Sequence, residues 1–318
     1  MLALFKKNSF FNSMLLLGYA FVLHIIPAVM GVGNGYIFPD FHSKTLAPVL
    51  HVLILFVQAI FINRMVIENR LHRDIMLYPG VFFILYSSIW PEFWPLSHIH
   101  FANLMVIWAI HELFQIYKTN NPAIEIFNAS FLIGIASIIC PPTILYLFLV
   151  LIGVNNLKKM ELVHPLQIII GGVLPWFLWF TWQYWRGEGA DVFAAWAPHM
   201  GLNIFEIRLG TYEIIKAAMF CFTLLFVVIL YNEFRKKKHI QAQKKVDILY
   251  VALINAVIII LFHQPFSWSL MLFAAPVLGI FIGLFFSHVK NQLISETIHF
   301  LLFIGVIISQ LFHYIKFN

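Results

Sequence analysis

Positive charge recurs along this chain after every second apolar stretch, and this alternation constrains the fold more than any other feature. Of the 20 Lys and Arg residues, 15 lie in short clusters at residues 6–7, 64–73, 118, 158–159, 235–245 and 290. Basic residues concentrate in the cytoplasmic loops of multi-pass membrane proteins. The pattern therefore predicts a polytopic membrane protein and assigns its loops to two sides.

Composition agrees with this prediction and excludes other classes. Hydrophobic residues make up 61% of the chain and charged residues 11%, whereas soluble domains carry about 25% charged residues. Such a chain cannot cover a water-facing surface, so its main partner is membrane lipid. The net charge of +6 is predicted to set topology and to contact anionic headgroups, and no nucleic-acid partner is predicted.

Eleven apolar stretches are candidates for spans. They cover about residues 11–32, 46–63, 75–90, 99–117, 124–140, 142–154, 166–184, 213–232, 247–262, 267–287 and 297–315. A bilayer core about 30 Å thick needs about 20 helical residues, and helices satisfy their backbone groups internally. We therefore expect an all-α transmembrane bundle of 10–11 spans that forms one integral membrane domain over residues 1–318.

Residues 124–154 are either one tilted helix or a hairpin broken at Pro141 and Pro142. Tandem prolines remove two backbone donors and disfavour helical geometry in the residues before them. Only the hairpin keeps the basic clusters at residues 158–159 and 235–245 on the same side as the earlier ones. The hairpin is therefore the predicted form, with a second arm short enough to be partly re-entrant.

The membrane side of each terminus follows from the number of predicted spans and the position of the basic clusters. The first apolar run is too long for a signal peptide, so we expect an uncleaved first span. The N-terminus is predicted to lie on the cytoplasmic side and the C-terminus on the outer side. The long outer segment 185–212 is rich in Gly, Trp and acidic residues, and it is expected to contain an interfacial helix.

Asp40 lies in the first predicted outer loop, within GYIFPDFHSK. Such an acid can accept a proton from a sugar hydroxyl or bind a divalent metal ion. The alternative is a residue that caps the turn into the second span. No resident cofactor is predicted, and the divalent ion at Asp40 is the one candidate.

His98 and His100 lie just before the fourth span, in PEFWPLSHIH. In a loop or strand both would point the same way and could ligate a metal. In a helix they diverge by about 200°. Because no third ligand is close in sequence, the pair is interpreted as interfacial histidines and not as a metal site.

Arg186 and Arg208 depart from the positive-inside trend, because both fall in the long outer segment with His199. Arginine binds phosphate in a bidentate geometry, and a polyprenyl phosphate headgroup would lie at this depth. The alternative is salt bridging to Glu188 or Glu206. Within the predicted spans, His24, His111 and Glu112 are either proton or ligand sites or polar packing groups.

Two resemblances extend these hypotheses. Residues 102–154, VQAIFINRMVIENRL near 57–71 and GGVLPWFLW near 171–179 resemble a family of uncharacterised inner-membrane proteins of Bacteroidota. This resemblance implies that the chain lies in a bacterial inner membrane, with its C-terminus in the periplasm. The order of features also resembles the membrane core of GT-C glycosyltransferases, which take sugar from a polyprenyl-phosphate donor. Asp40 matches the first-loop acid of those enzymes by position, and SSIWPEFWPLSHIH matches their second outer loop, with His98 or His100 where an acid is usual.

The chain also departs from the GT-C pattern. Its first outer loop has only about 13 residues, and it lacks the paired-acid motif and a large C-terminal outer domain. The resemblance therefore bears on architecture more than on activity.

The leading hypothesis is a GT-C-like protein that handles polyprenyl-linked sugars in envelope glycan assembly. In it Asp40 deprotonates the acceptor or holds a metal ion. Arg186 and Arg208 bind the donor phosphate, and His98, His100 and His199 shape the pocket. The alternative is a non-enzymatic subunit or scaffold that binds protein partners in an envelope complex. A third hypothesis is a small-molecule or lipid transporter, favoured if His24, His111 and Glu112 line one cavity.

Overall fold

The computed structural model describes residues 2–7, 9–29, 46–189, 197–201, 210–236 and 238–317. Within these residues the fold is all-α, with twelve α-helices and no β-strand. The helices are α1 (Phe10–Val29), α2 (Leu46–Glu68), α3 (Tyr78–Ser87), α4 (His98–Gln115), α5 (Ala123–Ile139), α6 (Tyr146–Leu157), α7 (Val163–Trp185), α8 (Thr211–Ile229), α9 (Tyr231–Arg235), α10 (Ile240–Leu261), α11 (Ala275–His288) and α12 (Gln292–Phe317).

Each of the eleven predicted stretches contains helix in its described residues, which confirms the all-α prediction. In the described part of the chain, six helices are long and apolar enough to cross a membrane: α1, α2, α4 with the 3-10 turn Ile116–Lys118, α7, α8 and α12. Their number and length define a multi-pass membrane protein. Much of the apolar surface of α7, α8 and α12 is exposed, as expected for helices that face lipid.

The remaining apolar helices are shorter. The segments α3, α5, Pro141–Leu157 and α11 have 10–17 residues, which corresponds to about 15–26 Å at 1.5 Å per residue. They fall short of the bilayer core of about 30 Å. Helix α10 is long, but its second turn contains the charged residues Lys244, Lys245 and Asp247. Its apolar part therefore begins at Ile248.

The chain packs as two compact units: Met1–His100 with Ala275–Asn318, and Phe101–Ala274. In the first unit, α3 packs along α11 and against α2, while α1 packs on α2 and α12. Every residue of α3 is buried. A Cβ at Gly279 would lie 2.8 Å from the Phe83 backbone, and one at Gly283 would lie 2.7 Å from the Pro79 nitrogen. Small residues four apart allow this close approach of two helices.

In the second unit, α5 packs along α7 and α6 packs on α10. The α5–α7 contact also depends on small residues. A Cβ at Gly134 would lie 2.6 Å from the Gly172 carbonyl oxygen, and one at Gly171 would lie 2.8 Å from the Phe127 carbonyl oxygen. The indole of Trp176 donates to Ser137 Oγ at 2.7 Å and links the same two helices.

The predicted hairpin is confirmed. Helix α5 ends where Cys140 adopts an extended conformation before Pro141 and Pro142, and a 3-10 turn leads into α6. At the end of α6, Nζ of Lys158 donates to the carbonyl oxygen of Asn120 at 2.9 Å, so the chain has returned to the start of α5. Asn156 Nδ2 also donates to the Lys244 carbonyl oxygen at 3.2 Å, so three predicted inner loops meet at this end of the unit. The membrane side that they face stays a prediction.

The prediction for segment 185–212 lies largely outside the described residues. Helix α7 ends at Trp185 and a 3-10 turn covers Ala197–His199, but residues 190–196 and 202–209 are not described. The interfacial helix expected in segment 185–212 falls on those residues. The single membrane domain over residues 1–318 stays a prediction as well.

Candidate functional site

The six predicted site residues fall into three groups. Asp40 and Arg208 lie outside the described residues. His98 and His100 belong to the first unit, and Arg186 and His199 to the second.

Arg186 follows the last residue of α7. Its Nη2 lies 3.4 Å from Glu188 Oε1, and both side chains are about half exposed, at 55% and 48%. This ion pair is the salt bridge that the sequence offered as the alternative to phosphate binding. Exposed Trp182, Tyr184 and Trp185 precede it, a composition typical of a membrane interface.

His199 links two predicted outer loops. Its Nδ1 lies 3.1 Å from the Gln264 carbonyl oxygen, and Gln264 N–H donates to the His199 carbonyl oxygen at 3.2 Å. Its ring stacks on His263 at 5.8 Å. Burial lowers the pKa of His263, and the neighbouring His199 lowers it further. In the structure, His199 therefore joins the residues near position 200 to the turn that follows α10.

His98 and His100 diverge, as expected for a helical i, i+2 pair. His98 is the first residue of α4 and is exposed, whereas His100 is fully buried. They do not form a two-ligand metal site. His100 instead faces into the first unit.

There His100 meets two other buried histidines, and we call His24, His51 and His100 the histidine cluster. They come from α1, α2 and α4, and their exposed fractions are 4%, 2% and 0%. The His24 and His51 ring centroids are 4.8 Å apart, and those of His51 and His100 are 4.6 Å apart. Gln58 Nε2 donates to the His100 carbonyl oxygen at 2.6 Å and holds α2 against the start of α4.

The hydrogen-bond partners of the two outer rings assign their tautomers. His24 Nδ1 lies 2.9 Å from the Ala20 carbonyl oxygen, which can only accept, so Nδ1 carries the proton and Nε2 is an acceptor. Ser97 N–H donates to His100 Nδ1 at 3.3 Å, with Ser97 Oγ also at 3.1 Å, so Nε2 of His100 carries a proton. The cluster thus has an acceptor at one end and a donor at the other.

His51 lies between these two ends. Both of its ring nitrogens, with Nε2 of His24 and Nε2 of His100, are buried and have no hydrogen-bond partner among the described residues. An unpaired buried polar group costs about 1–3 kcal/mol, and such groups in native proteins commonly mark a bound water or a functional role. No three His, Cys, Asp or Glu side chains in the described part of the chain are arranged to hold a metal ion.

A second buried polar group lies deeper in the same unit. Tyr19 Oη and His299 Nε2 are 3.2 Å apart, and both side chains are buried. Tyr19 precedes His24 by five residues on α1, which is about 7.5 Å along the axis. Gln310 Nε2 donates to the Leu23 carbonyl oxygen at 2.9 Å, next to His24.

The sequence analysis missed His51, because a single histidine in the apolar run LAPVLHVLILF is typical of packing. One signal could have identified it. His24 lies near the end of α1, while His51 and His100 lie near the starts of α2 and α4. In an up-and-down bundle these three positions share one depth.

His111 and Glu112 belong to the second unit, and their contacts are those of packing groups. Glu112 accepts from Trp108 Nε1 at 3.2 Å and from Asn128 Nδ2 at 3.5 Å. Gln115 Nε2 lies 3.5 Å from His111 Nε2. The bond from Asn128 links α4 to α5 and favours the packing interpretation of Glu112.

The fold and this site define a multi-pass membrane protein with a buried histidine cluster in its first unit. Comparison with protein-family models, with curated proteins and with solved structures found no match to the chain.

Proposed function

We propose that this protein moves protons across a bacterial inner membrane through its first unit, with its N-terminus in the cytoplasm. The proposal develops the transporter hypothesis. The observation that carries it is the histidine cluster, three adjoining imidazoles with four unpaired nitrogens in an apolar interior. Ionisable side chains inside membrane proteins commonly form ion pathways or proton relays.

The tautomers of the cluster support a relay. His100 offers a proton at Nε2, His24 offers a lone pair at Nε2, and His51 lies between them with one site of each kind. A proton that reaches Nδ1 of His100 through Ser97 Oγ would let His100 release its Nε2 proton to His51, and His51 would pass its own proton to Nε2 of His24. One positive charge then moves along the three rings, and no ring becomes an imidazolate.

The positions of other buried polar side chains along the helices of the first unit support the same proposal. From the cluster, α1 leads about 7.5 Å to Tyr19, which contacts His299 on α12. On α2, Gln58 lies two turns beyond His51 and contacts the His100 backbone. Buried polar groups therefore occur at successive depths of the first unit, as a proton pathway requires.

The test is proton flux in reconstituted vesicles that contain a trapped pH-sensitive dye, driven by a potassium diffusion potential. We expect proton entry above that of protein-free vesicles. His51→Phe keeps a planar ring without a titratable nitrogen, so it should reduce the flux to the protein-free rate.

The matched control is His164→Phe, which removes a buried histidine from α7 in the second unit. It should conduct as the unchanged protein does. Wild-type flux equal to that of protein-free vesicles, or equal loss in both variants, would contradict the proposal.

A second candidate is the handling of polyprenyl-phosphate-linked sugars by a GT-C-like protein of the Bacteroidota family named above. Arg186 supports it, because this half-exposed guanidinium follows Trp182, Tyr184 and Trp185 at the end of a membrane-length helix. A lipid phosphate would lie at that depth and could replace Glu188 as its partner. In this candidate Asp40 is the acid that deprotonates the acceptor.

The test of the second candidate is Asp40→Asn in cells, with envelope glycans measured at matched protein abundance. Loss of a glycan species is expected, because the amide cannot accept the proton. Unchanged glycans would remove Asp40 from any catalytic role. Proton flux should be unaffected by this variant, so the two candidates are separated.

A further inference from the structure

Two histidines of the second unit are brought together by a short backbone pairing between residues 199–201 and 262–264. The pairing includes an antiparallel bridge at His263 and a hydrogen bond of 3.2 Å from Gln264 N–H to the His199 carbonyl oxygen. Gly201 N–H donates to the Phe262 carbonyl oxygen at 3.1 Å. The ring centres of His199 and His263 are 5.8 Å apart, and the ring planes differ by 30°.

Both rings have a tautomer that can bind a metal ion. Nδ1 of His199 lies 3.1 Å from the Gln264 carbonyl oxygen, and Nδ1 of His263 lies 2.7 Å from the Pro265 carbonyl oxygen. A carbonyl oxygen can only accept, so each Nδ1 carries the proton and each Nε2 keeps a lone pair. Metal-binding histidines commonly donate their second ring N–H to a backbone carbonyl, which fixes the ring. Neither Nε2 has a hydrogen-bond partner among the described residues.

The separation of the two rings suits one shared ion. A zinc–nitrogen bond of about 2.1 Å puts each ring centre about 3.2 Å from the metal, so two imidazoles on a tetrahedral ion have ring centres about 5 Å apart. The observed 5.8 Å is slightly longer. Both Nδ1 atoms face carbonyl groups of the same turn, so both Nε2 atoms point away from it. Because His199 is exposed, a tilt of its ring can close the remaining distance.

We propose that His199 and His263 bind a divalent transition-metal ion such as zinc. Neutral imidazole suits zinc, copper and nickel, whereas magnesium and calcium prefer oxygen ligands. The two rings supply two ligands, and water fills the remaining positions of the tetrahedral ion. The ion fastens residues 199–201 to the turn that follows α10. This site lies in the second unit, so it does not depend on the proposed function.

The experiment is isothermal titration calorimetry of the purified full chain, prepared without a histidine tag, with zinc and magnesium in separate arms. The chain contains 14 histidines, so the comparison between variants carries the result. We expect a saturable zinc-binding phase that is lost in His199→Ala and in His263→Ala, because each variant removes one of the two protein ligands. Magnesium should give no such phase, because it prefers oxygen ligands.

The matched control is His239→Ala, which removes an exposed histidine of the same unit and should keep the zinc-binding phase. Four results would each overturn the proposal: no saturable zinc binding, persistence of the phase in either His199→Ala or His263→Ala, its loss in His239→Ala, or equal binding of magnesium.

If His199→Ala and His263→Ala do not fold, histidine modification of the unchanged protein decides. Diethyl pyrocarbonate is applied with and without zinc, and the modified residues are mapped by mass spectrometry. Protection of both His199 and His263 by zinc supports the site. Zinc that leaves either ring as reactive as before overturns it.

Discussion

At the scale of single residues, the close contact between α3 and α11 depends on two glycines, Gly279 and Gly283, which have no side chain. Gly283 lies so close to Pro79 that a Cβ would be 2.7 Å from its backbone nitrogen, and backbone cannot move aside as a flexible side chain can. Gly18 offers the opposite case, since a Cβ at that position would have no neighbour within 4 Å among the described residues. Similar substitutions at the two glycines should therefore differ in effect.

Gly283→Ala should destabilise the protein by about 1–3 kcal/mol, as overpacking a close helix contact does. Gly18→Ala should be neutral or slightly stabilising, because alanine favours helix more than glycine does. Thermal unfolding in one detergent measures both. Equal melting temperatures for the two variants would show that the α3–α11 contact yields without cost.

The histidine cluster shows the limit of prediction at this scale. The divergence of His98 and His100 was predictable, because the helical period alone fixes it. The meeting of His24, His51 and His100 was not, since it depends on which helices are neighbours. No local pattern in α1, α2 or α4 specifies that adjacency.

At the scale of elements, the helices and the hairpin were predictable for a physical reason. In lipid an apolar stretch must satisfy its own backbone hydrogen bonds, so apolar length predicts helix. The prolines at 141 and 142 end α5, and the positive-inside pattern required the chain to turn back there. The start of α10 was less predictable, because Lys244 and Lys245 continue the helix beyond its apolar part.

At the scale of the whole molecule, the charge pattern predicts which loops share a compartment. Helix α7 separates Lys159 from Glu188, and both side chains are exposed. A single membrane-length helix must place its two flanks on opposite sides. Exposed Cys221 is first replaced by serine, so that an introduced cysteine is the main accessible thiol.

In cells with a permeable outer membrane, an impermeant maleimide should label Glu188→Cys directly. It should label Lys159→Cys only after the inner membrane is disrupted, because the basic loop is predicted to be cytoplasmic. Asp40→Cys should behave as Glu188→Cys does. Opposite accessibility of residues 40 and 188 would contradict the shared outer site of the GT-C-like candidate.

The burial of α3 bears on how this protein is made. Helix α3 leaves the ribosome early, whereas α11, along which it packs, is synthesised only after the entire second unit. A ten-residue apolar helix is too short to rest stably across a bilayer by itself. Biogenesis must therefore keep α3 sheltered, by its neighbour α2 or by the insertion machinery, until translation is nearly complete.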